Sequence, residues 1–323
     1  MRALVCRAFG EPTSVRVEQR ESAALDPARV RVGVTAAGVN YVDGLFVQGR
    51  YQIRPDLPFT PGSELAGVVT EVGAQVEGWS PGDRVLASVG LGAFASEADL
   101  SPAQLVAVPP NVSDTQAATL GQSYATAWFS LTRRTTVVGG EWILVLGAAG
   151  GVGLACLDVA RALGLNTIAA ASTREKLELC IRRGAHEVID YSTEDLKARA
   201  RELSGGGVDL AVDPVGGAHT EAALRALGDM GRLIVIGFAG GEIAAIPANQ
   251  ILLRNRSVLG VDWGIWALTD PAANAELMGE VLAATAEGTL EPVEPETRPL
   301  EEAGVAMQDL LERRVSGKLC LVP

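Results

Sequence analysis

Residues 142–164 read WILVLGAAGGVGLACLDVARALG. Trp142 to Leu146 suit a buried strand, and the apolar pattern after Gly151 suits a helix. Between them stands Ala148-x-Gly150-x-x-Gly153, the spacing of a turn that binds a dinucleotide, with Ala in the first place. Each small residue has its own task. Ala148 lets the chain turn off the strand, Gly150 lets backbone approach a pyrophosphate, and Gly153 lets the helix pack closely on the sheet. A helix beginning near Gly151 aims free N–H groups and its positive dipole end at phosphate oxygens. The expected phosphate contacts are therefore Ala149, Gly150, Gly151 and Val152. A glycine-rich packing turn is the plain alternative; a strand before, a helix after and four further βα units downstream favour the dinucleotide.

The end of the next strand bears on which dinucleotide. A site for NAD places Asp or Glu there to hold the ribose hydroxyls, whereas this chain has AAASTREK. Ser172, Arg174 and Lys176 offer a hydroxyl and two cations, which suit the 2′-phosphate of NADPH, and Glu175 offsets part of that charge. The same cations also suit a solvated helix start.

These residues need a scaffold. From residue 1 to about 120 short strand-like runs are punctuated by Gly and Pro: VRVGVTAAGVN (30–40), LAGVVTEVG (65–73), DRVLASVG (83–90) and AQLVAVPP (103–110). They predict a compact β domain. From about 140, strands at 142–147, 166–172, 186–191, 208–214, 232–237 and 257–263 alternate with helical patterns. In the helix over 173–184, Leu177, Cys180 and Ile181 share a face and Gly184 is the stop. Such alternation predicts a parallel, doubly wound sheet with right-handed crossovers. A helix over 271–288 follows, and GKLCLVP at the end reads as a strand that rejoins the first domain. The fold class is α/β, with the first domain over 1–121 and 268–323 and the second over 122–267.

Composition narrows the partners. The chain has 323 residues, 48% of them hydrophobic, and a net charge of −12, so its field repels polyanions and nucleic acid is not an expected partner. Cys6, Cys156, Cys180 and Cys320 lie far apart without a CxxC pair, which reads as reduced thiols in a cytoplasmic protein. Arg2 and Arg7 interrupt the first residues, so no secretory signal is expected. The uncharged run Trp142–Leu157 is short of the roughly 20 residues a spanning helix needs, and no membrane association is expected.

With this architecture the chain resembles the medium-chain dehydrogenase/reductase superfamily, with a GroES-like first domain, an inserted Rossmann domain and a returning tail. The segments AAGVNYVDGLFVQGRY (36–51), PFTPGSELAGVVTEVG (58–73), PGDRV (81–85), GAAGGVGL and GAHEVIDY are similar to its zinc-free NADPH:quinone oxidoreductase, or zeta-crystallin-like, branch. Zinc-dependent relatives carry Cys where this chain has Asn40, and Gly-His-Glu where it has Gly62-Ser63-Glu64. The only histidines, His186 and His219, lie in the Rossmann part, so no metal is expected.

The resemblance implies an NADPH-dependent oxidoreductase. Polarisation of a substrate carbonyl must then come from hydrogen-bond donors, with hydride delivered from the nicotinamide in a cleft between the domains. It points to Asn40, Asp43 and Tyr51 at the substrate, and to Thr126 near the nicotinamide. Read from the residues alone, Asn40 and Asp43 serve equally as caps of the turn after a strand, and Tyr51 as packing. The resemblance also places Ser172, Lys176 and Tyr191 at the adenosine 2′-phosphate, with Arg313 from the tail. Gly237 and Phe238 end a strand on the sheet's carboxyl edge, where such folds bind ligands; they are expected at the nicotinamide half. Family members dimerise along the last strand, SVLGVDW, so a homodimer is expected.

One position departs from the family. Several members carry tyrosine two residues after the aspartate, where this chain has Leu45. A donor to a quinone oxygen is then missing there, which weakens the quinone assignment and leaves room for an enone; the expected substrate is a quinone or an activated alkene. An enoyl thioester such as an acyl-CoA is the alternative within the enzyme class, and an NADPH-binding protein without fast catalysis is the alternative outside it.

Overall fold

The computed structural model describes all residues, Met1–Pro323, as two compact units. One unit comprises Met1–Gln122 with Gly264–Pro323, and the other Ser123–Trp263.

The N-terminal part of the first unit holds β1 (Arg2–Val5), β2 (Arg16–Gln19), β3 (Val30–Val39), α1 (Tyr41–Gln48), β4 (Glu64–Val72), β5 (Arg84–Ser88), β6 (Glu97–Leu100), β7 (Leu105–Ala107) and α2 (Asp114–Ala117). β3 pairs antiparallel with β4, and β4 with β5. The first half of β3 alternates buried and half-buried residues, as a one-sided sheet requires, and its second half is buried throughout. Phe94, Leu65, Val32 and Phe46 are part of the core beneath.

The predicted all-β character of this region needs correction. The chain leaves β3 straight into α1, because Asn40 is extended at the N-cap, the Asp43 carboxylate accepts the Asn40 N–H at 2.7 Å, and Gly49 closes the helix at φ 64°. That is a capping box with a left-handed terminator. The helix it produces is short, and a reading for strands passed over it.

The chain crosses to the second unit within α3 (Leu120–Thr132) and continues through β8 (Trp142–Leu146), α4 (Gly151–Ala162), β9 (Asn166–Ala171), α5 (Arg174–Arg182), β10 (Glu187–Asp190), α6 (Leu196–Leu203), β11 (Val208–Asp213), α7 (Ala218–Ala226), β12 (Leu227–Val235), α8 (Ala248–Leu252) and β13 (Ser257–Gly260). The sheet runs β10-β9-β8-β11-β12-β13, and every pairing is parallel. This is the Rossmann order, with its switch point between β8 and β11. Strands covered on both faces are nearly all apolar, and β8 and β9 are buried after their first residue. Two local expectations change: Ile181 is 53% exposed, leaving Leu177 and Cys180 as the buried face of α5, and Trp263 opens a helix instead of ending a strand.

That helix is α9 (Trp263–Thr269), followed by α10 (Pro271–Ala286), β14 (Glu296–Pro299), α11 (Ala303–Leu311) and β15 (Leu319–Val322). β15 lies between β14 and β3, antiparallel to β3, so the tail completes the first unit's sheet. No helix is long and apolar enough to cross a membrane.

Candidate functional site

In the first unit a polar cluster is buried where β3 meets α1. The Lys318 ammonium, on the residue just before β15, donates to Asn40 Oδ1 at 2.7 Å and to Glu64 Oε1 at 3.0 Å. Asn40 Nδ2 donates to the same Glu64 oxygen at 2.8 Å and to Ser63 Oγ at 3.3 Å. Glu64 Oε2 accepts the backbone N–H of Gln122 at 2.8 Å. Asp43, Ser63, Glu64 and Lys318 are all buried, while Asn40 is half-buried.

Glycine makes room for the Glu64 side chain. A Cβ at Gly38 of β3 would collide with Glu64 Oε1 and the Ala118 carbonyl, so only glycine admits this carboxylate beside the strand. Lys318 then supplies the charge partner without which a carboxylate is not buried.

Asp43 shares the cluster but faces inward. Burial pushes its carboxyl up to about 7; the Asn40 N–H, the Ser63 hydroxyl and Lys318 pull it down, and the Glu64 charge pushes it up. One ammonium faces two carboxylates, so a proton on Asp43 relieves the imbalance. Asp43 has no exposed surface, and its carboxylate serves as the cap of α1. Tyr51 stands just past α1, half-buried, its ring 4.7 Å from that of Phe46. Arg313 is in the same unit, after α11, in a left-handed conformation at φ 59°.

In the second unit, the turn after β8 leads from strand to helix with the geometry its spacing predicts. Gly150 is the exposed N-cap of α4, with Gly151 and Val152 half-buried after it and Ala149 buried before it. A Cβ at Gly153 would lie 2.5 Å from the Gly147 carbonyl oxygen and 2.6 Å from Ala148 Cα, so the helix rests directly on the turn. At the end of β9, Ser172 is half-buried and Thr173 caps α5. Tyr191 donates its backbone N–H to the Ala171 carbonyl at 3.2 Å, which brings it beside Ser172, and its ring lies 4.5 Å from His219. Lys176 is half-buried on the first turn of α5, and Arg174 is turned outward onto Glu178 at 2.9 Å.

The loops after β11 and β12 meet beside the switch point. Asp213 Oδ1 accepts the N–H groups of Val215 and Gly216 at 2.8 and 2.9 Å, and Oδ2 accepts the Thr220 hydroxyl at 2.5 Å. Gly237 and Phe238 follow β12 close by, with Ala239 N–H donating to the Pro214 carbonyl at 3.0 Å. Thr126 lies on α3, 8% exposed.

Sequence reasoning missed Ser63 and Glu64 as members of a polar cluster, and missed Lys318 and Asp213 altogether. Gly38 inside a strand was the available signal for the first group, and VDPVGG after β11 for the last.

Two family models match the chain: "Alcohol dehydrogenase GroES-like domain" over residues 26–110 and "Zinc-binding dehydrogenase" over residues 151–278. Quinone oxidoreductase-like protein 2 of Bos taurus is 39% identical over 322 residues, which are 99% of this chain and 92% of that protein. The solved quinone oxidoreductase of Pseudomonas syringae pv. Tomato DC3000 is 31% identical with TM-score 0.92, covering 100% of this chain and 99% of that one. The Escherichia coli quinone oxidoreductase, solved in complex with NADPH, is 27% identical with TM-score 0.92 over the whole of both chains.

The zinc in one family description does not suit the residues here. Asn40 and Ser63 stand where zinc-dependent relatives have Cys and His, and the Lys318 ammonium already sits 2.7 and 3.0 Å from Asn40 and Glu64. A second cation there would meet the like charge of Lys318, and beside Glu64, whose carboxylate that ammonium already occupies, only the neutral Asn40 and Ser63. The glycine turn, the Rossmann strand order, the GroES-like sheet and the full-length likeness converge: the chain belongs to the quinone oxidoreductase branch of the medium-chain dehydrogenase/reductase superfamily and is an oxidoreductase of that type.

Proposed function

We propose that this oxidoreductase is a zinc-independent reductase that uses NADPH to transfer hydride to a quinone or to an activated alkene. The end of β9 carries the choice of cofactor. Ser172 stands where a carboxylate would repel a 2′-phosphate, with Lys176 on the following turn and Tyr191 alongside. The backbone of Ala149, Gly150, Gly151 and Val152 at the start of α4 fits the pyrophosphate, and Thr126, Gly237 and Phe238 fit the nicotinamide half. NADPH, when bound, supplies the hydride.

On the substrate side, Asn40 and Tyr51 are the donors assigned to a carbonyl oxygen that gains charge as hydride adds. Leu45, half-exposed on α1, contributes no donor where relatives carry tyrosine. That substitution favours, as a second reading, an enone or enoyl thioester whose β carbon takes the hydride.

Purified protein mixed with NADPH or NADH and then with benzoquinone, phenanthrenequinone, hexenal or crotonyl-CoA tests this directly. Fast oxidation of NADPH, with NADH much poorer, is expected, and the fastest acceptor decides between quinone and enoyl chemistry. NADPH binding without oxidation by any acceptor would leave a binding protein instead. Tyr51→Phe, which keeps the ring on Phe46, is expected to lower kcat with NADPH affinity retained; full activity in that variant would remove Tyr51 from the donor set.

A homodimer through the β13 edge belongs to the same reading. β13 ends the sheet, and Met230, Leu252 and Leu253 beside it are 65%, 78% and 56% exposed, an apolar strip next to unpaired strand backbone. Light scattering after gel filtration that gave a monomer would refute it. Four free, buried thiols agree with a reducing, cytoplasmic setting.

A further inference from the structure

Every polar atom of the Asn40 side chain is assigned by its neighbours. An ammonium only donates, so the Asn40 atom 2.7 Å from Lys318 Nζ is the oxygen; a carboxylate accepts, so the atom 2.8 Å from Glu64 Oε1 is the nitrogen. The second N–H of Nδ2 has only the longer bond to Ser63, at 3.3 Å. Asn40 is also the half-buried member of a cluster whose other side chains are enclosed. The weak bond is thus the one a ligand oxygen can take over.

We propose that Lys318 is a positioning residue that acts through Asn40. By holding Oδ1 inward, its ammonium makes Asn40 present N–H, and never oxygen, to the substrate. This rests on the reading that the substrate carries a conjugated carbonyl or quinone oxygen. The charge also polarises the amide from behind: a cation on the C=O draws electrons from nitrogen and strengthens the N–H as a donor. When hydride adds to the substrate carbon, the displaced electron pair moves onto the carbonyl oxygen, which Asn40 N–H then holds until water supplies a proton. Glu64 balances the Lys318 charge, so the ammonium that polarises the amide is not itself an unpaired charge in the interior.

The test compares wild type, Asn40→Ala, Lys318→Met and the Asn40→Ala/Lys318→Met double variant for kcat, KM and NADPH affinity. Lys318→Met is expected to lower kcat about 100-fold, the size of losing one pre-organised donor, with NADPH affinity unchanged. If Lys318 works through Asn40, adding Lys318→Met to Asn40→Ala costs nothing further; losses that multiply would overturn the proposal. Lys318→Met leaves Glu64 buried alone, so its thermal unfolding is measured beside the kinetics to establish that the variant is folded.

An NMR readout stands apart from turnover. The Asn40 side-chain NH2 signals, identified by their absence in Asn40→Ala, are expected to be sharp in wild type and broadened in Lys318→Met, where Glu64 still accepts from Nδ2. Unchanged signals would overturn the positioning role. Should the wild type reduce none of the acceptors, the reductase reading alone fails, and these signals still decide whether Lys318 holds the amide.

Discussion

The Asp43 carboxylate accepts the Asn40 backbone N–H at 2.7 Å while having no exposed surface of its own. A helix cap is thereby built from an acid that burial pushes up to about 7. The unfolded chain releases that proton near pH 4. From about pH 4 to 7 the folded state therefore binds more protons, and stability falls as pH rises. Asp43→Asn keeps an acceptor for the Asn40 N–H and removes the charge. It is expected to flatten the decline of unfolding free energy between about pH 4 and 7, by roughly 1.4 kcal/mol for each unit of the displaced pKa. Parallel pH profiles for the two proteins would show that Asp43 ionises in the folded state without cost.

Gly150 and Gly153 separate binding from stability. A Cβ at Gly150 meets only the Gly147 carbonyl at 3.4 Å, whereas one at Gly153 strikes backbone at 2.5 and 2.6 Å. Gly153→Ala is expected to cost about 1–3 kcal/mol in denaturant unfolding, as overpacking does. Gly150→Ala should leave stability nearly unchanged and weaken NADPH, because the added methyl stands at the helix N-cap where the pyrophosphate approaches. Equal stability losses in both variants would contradict the separation.

Ser172 tests the choice between NADPH and NADH. Ser172→Asp puts a carboxylate at the end of β9, against a 2′-phosphate and in favour of ribose hydroxyls. NADPH binding is expected to weaken about tenfold or more, equivalent to about 1.4 kcal/mol, with NADH improved. Fluorescence titration of both nucleotides reads this directly; an unaltered NADPH affinity would move the 2′-phosphate elsewhere.

The thiols should be inert until the chain unfolds. All four cysteines are buried, and burial pushes Cys156, Cys180 and Cys320 up to about 12 and Cys6 up as well. Thiolate is then scarce at neutral pH, and exchange with an aromatic disulfide reagent, which forms a mixed disulfide and releases an aryl thiolate, should be slow natively and complete in denaturant. Rapid native labelling of any one would show a local opening at that cysteine.

What the sequence made legible follows from how local the cause is. The β8–α4 turn was readable because strand, small residues and helix start lie within a dozen positions, and the contacts of Gly153 reproduce the reason for its glycine. The Rossmann strands were readable because two-sided burial leaves apolar runs. α1 was missed although its caps, Asn40, Asp43 and Gly49, were all visible; eight residues give a weak period against the strong strand pattern before it. The Lys318–Glu64 pair was out of reach in principle, since its members stand 254 positions apart and neither has an unusual neighbour in sequence. Asp43 was visible as a residue and illegible as an environment, because burial that complete is a property of packing.

The long separation within the Lys318–Glu64 pair also sets a timetable. A ribosome adding about 5–20 residues per second makes Glu64 and Asp43 roughly ten seconds to a minute before the lysine that balances them, while the whole Rossmann unit is still being synthesised. During that interval the half-made GroES-like sheet also lacks β15. Until Lys318 is made, Glu64 lacks the ammonium that accompanies its burial in the finished fold. Chains truncated before residue 318 should accordingly be more sensitive to protease than the full 323-residue chain.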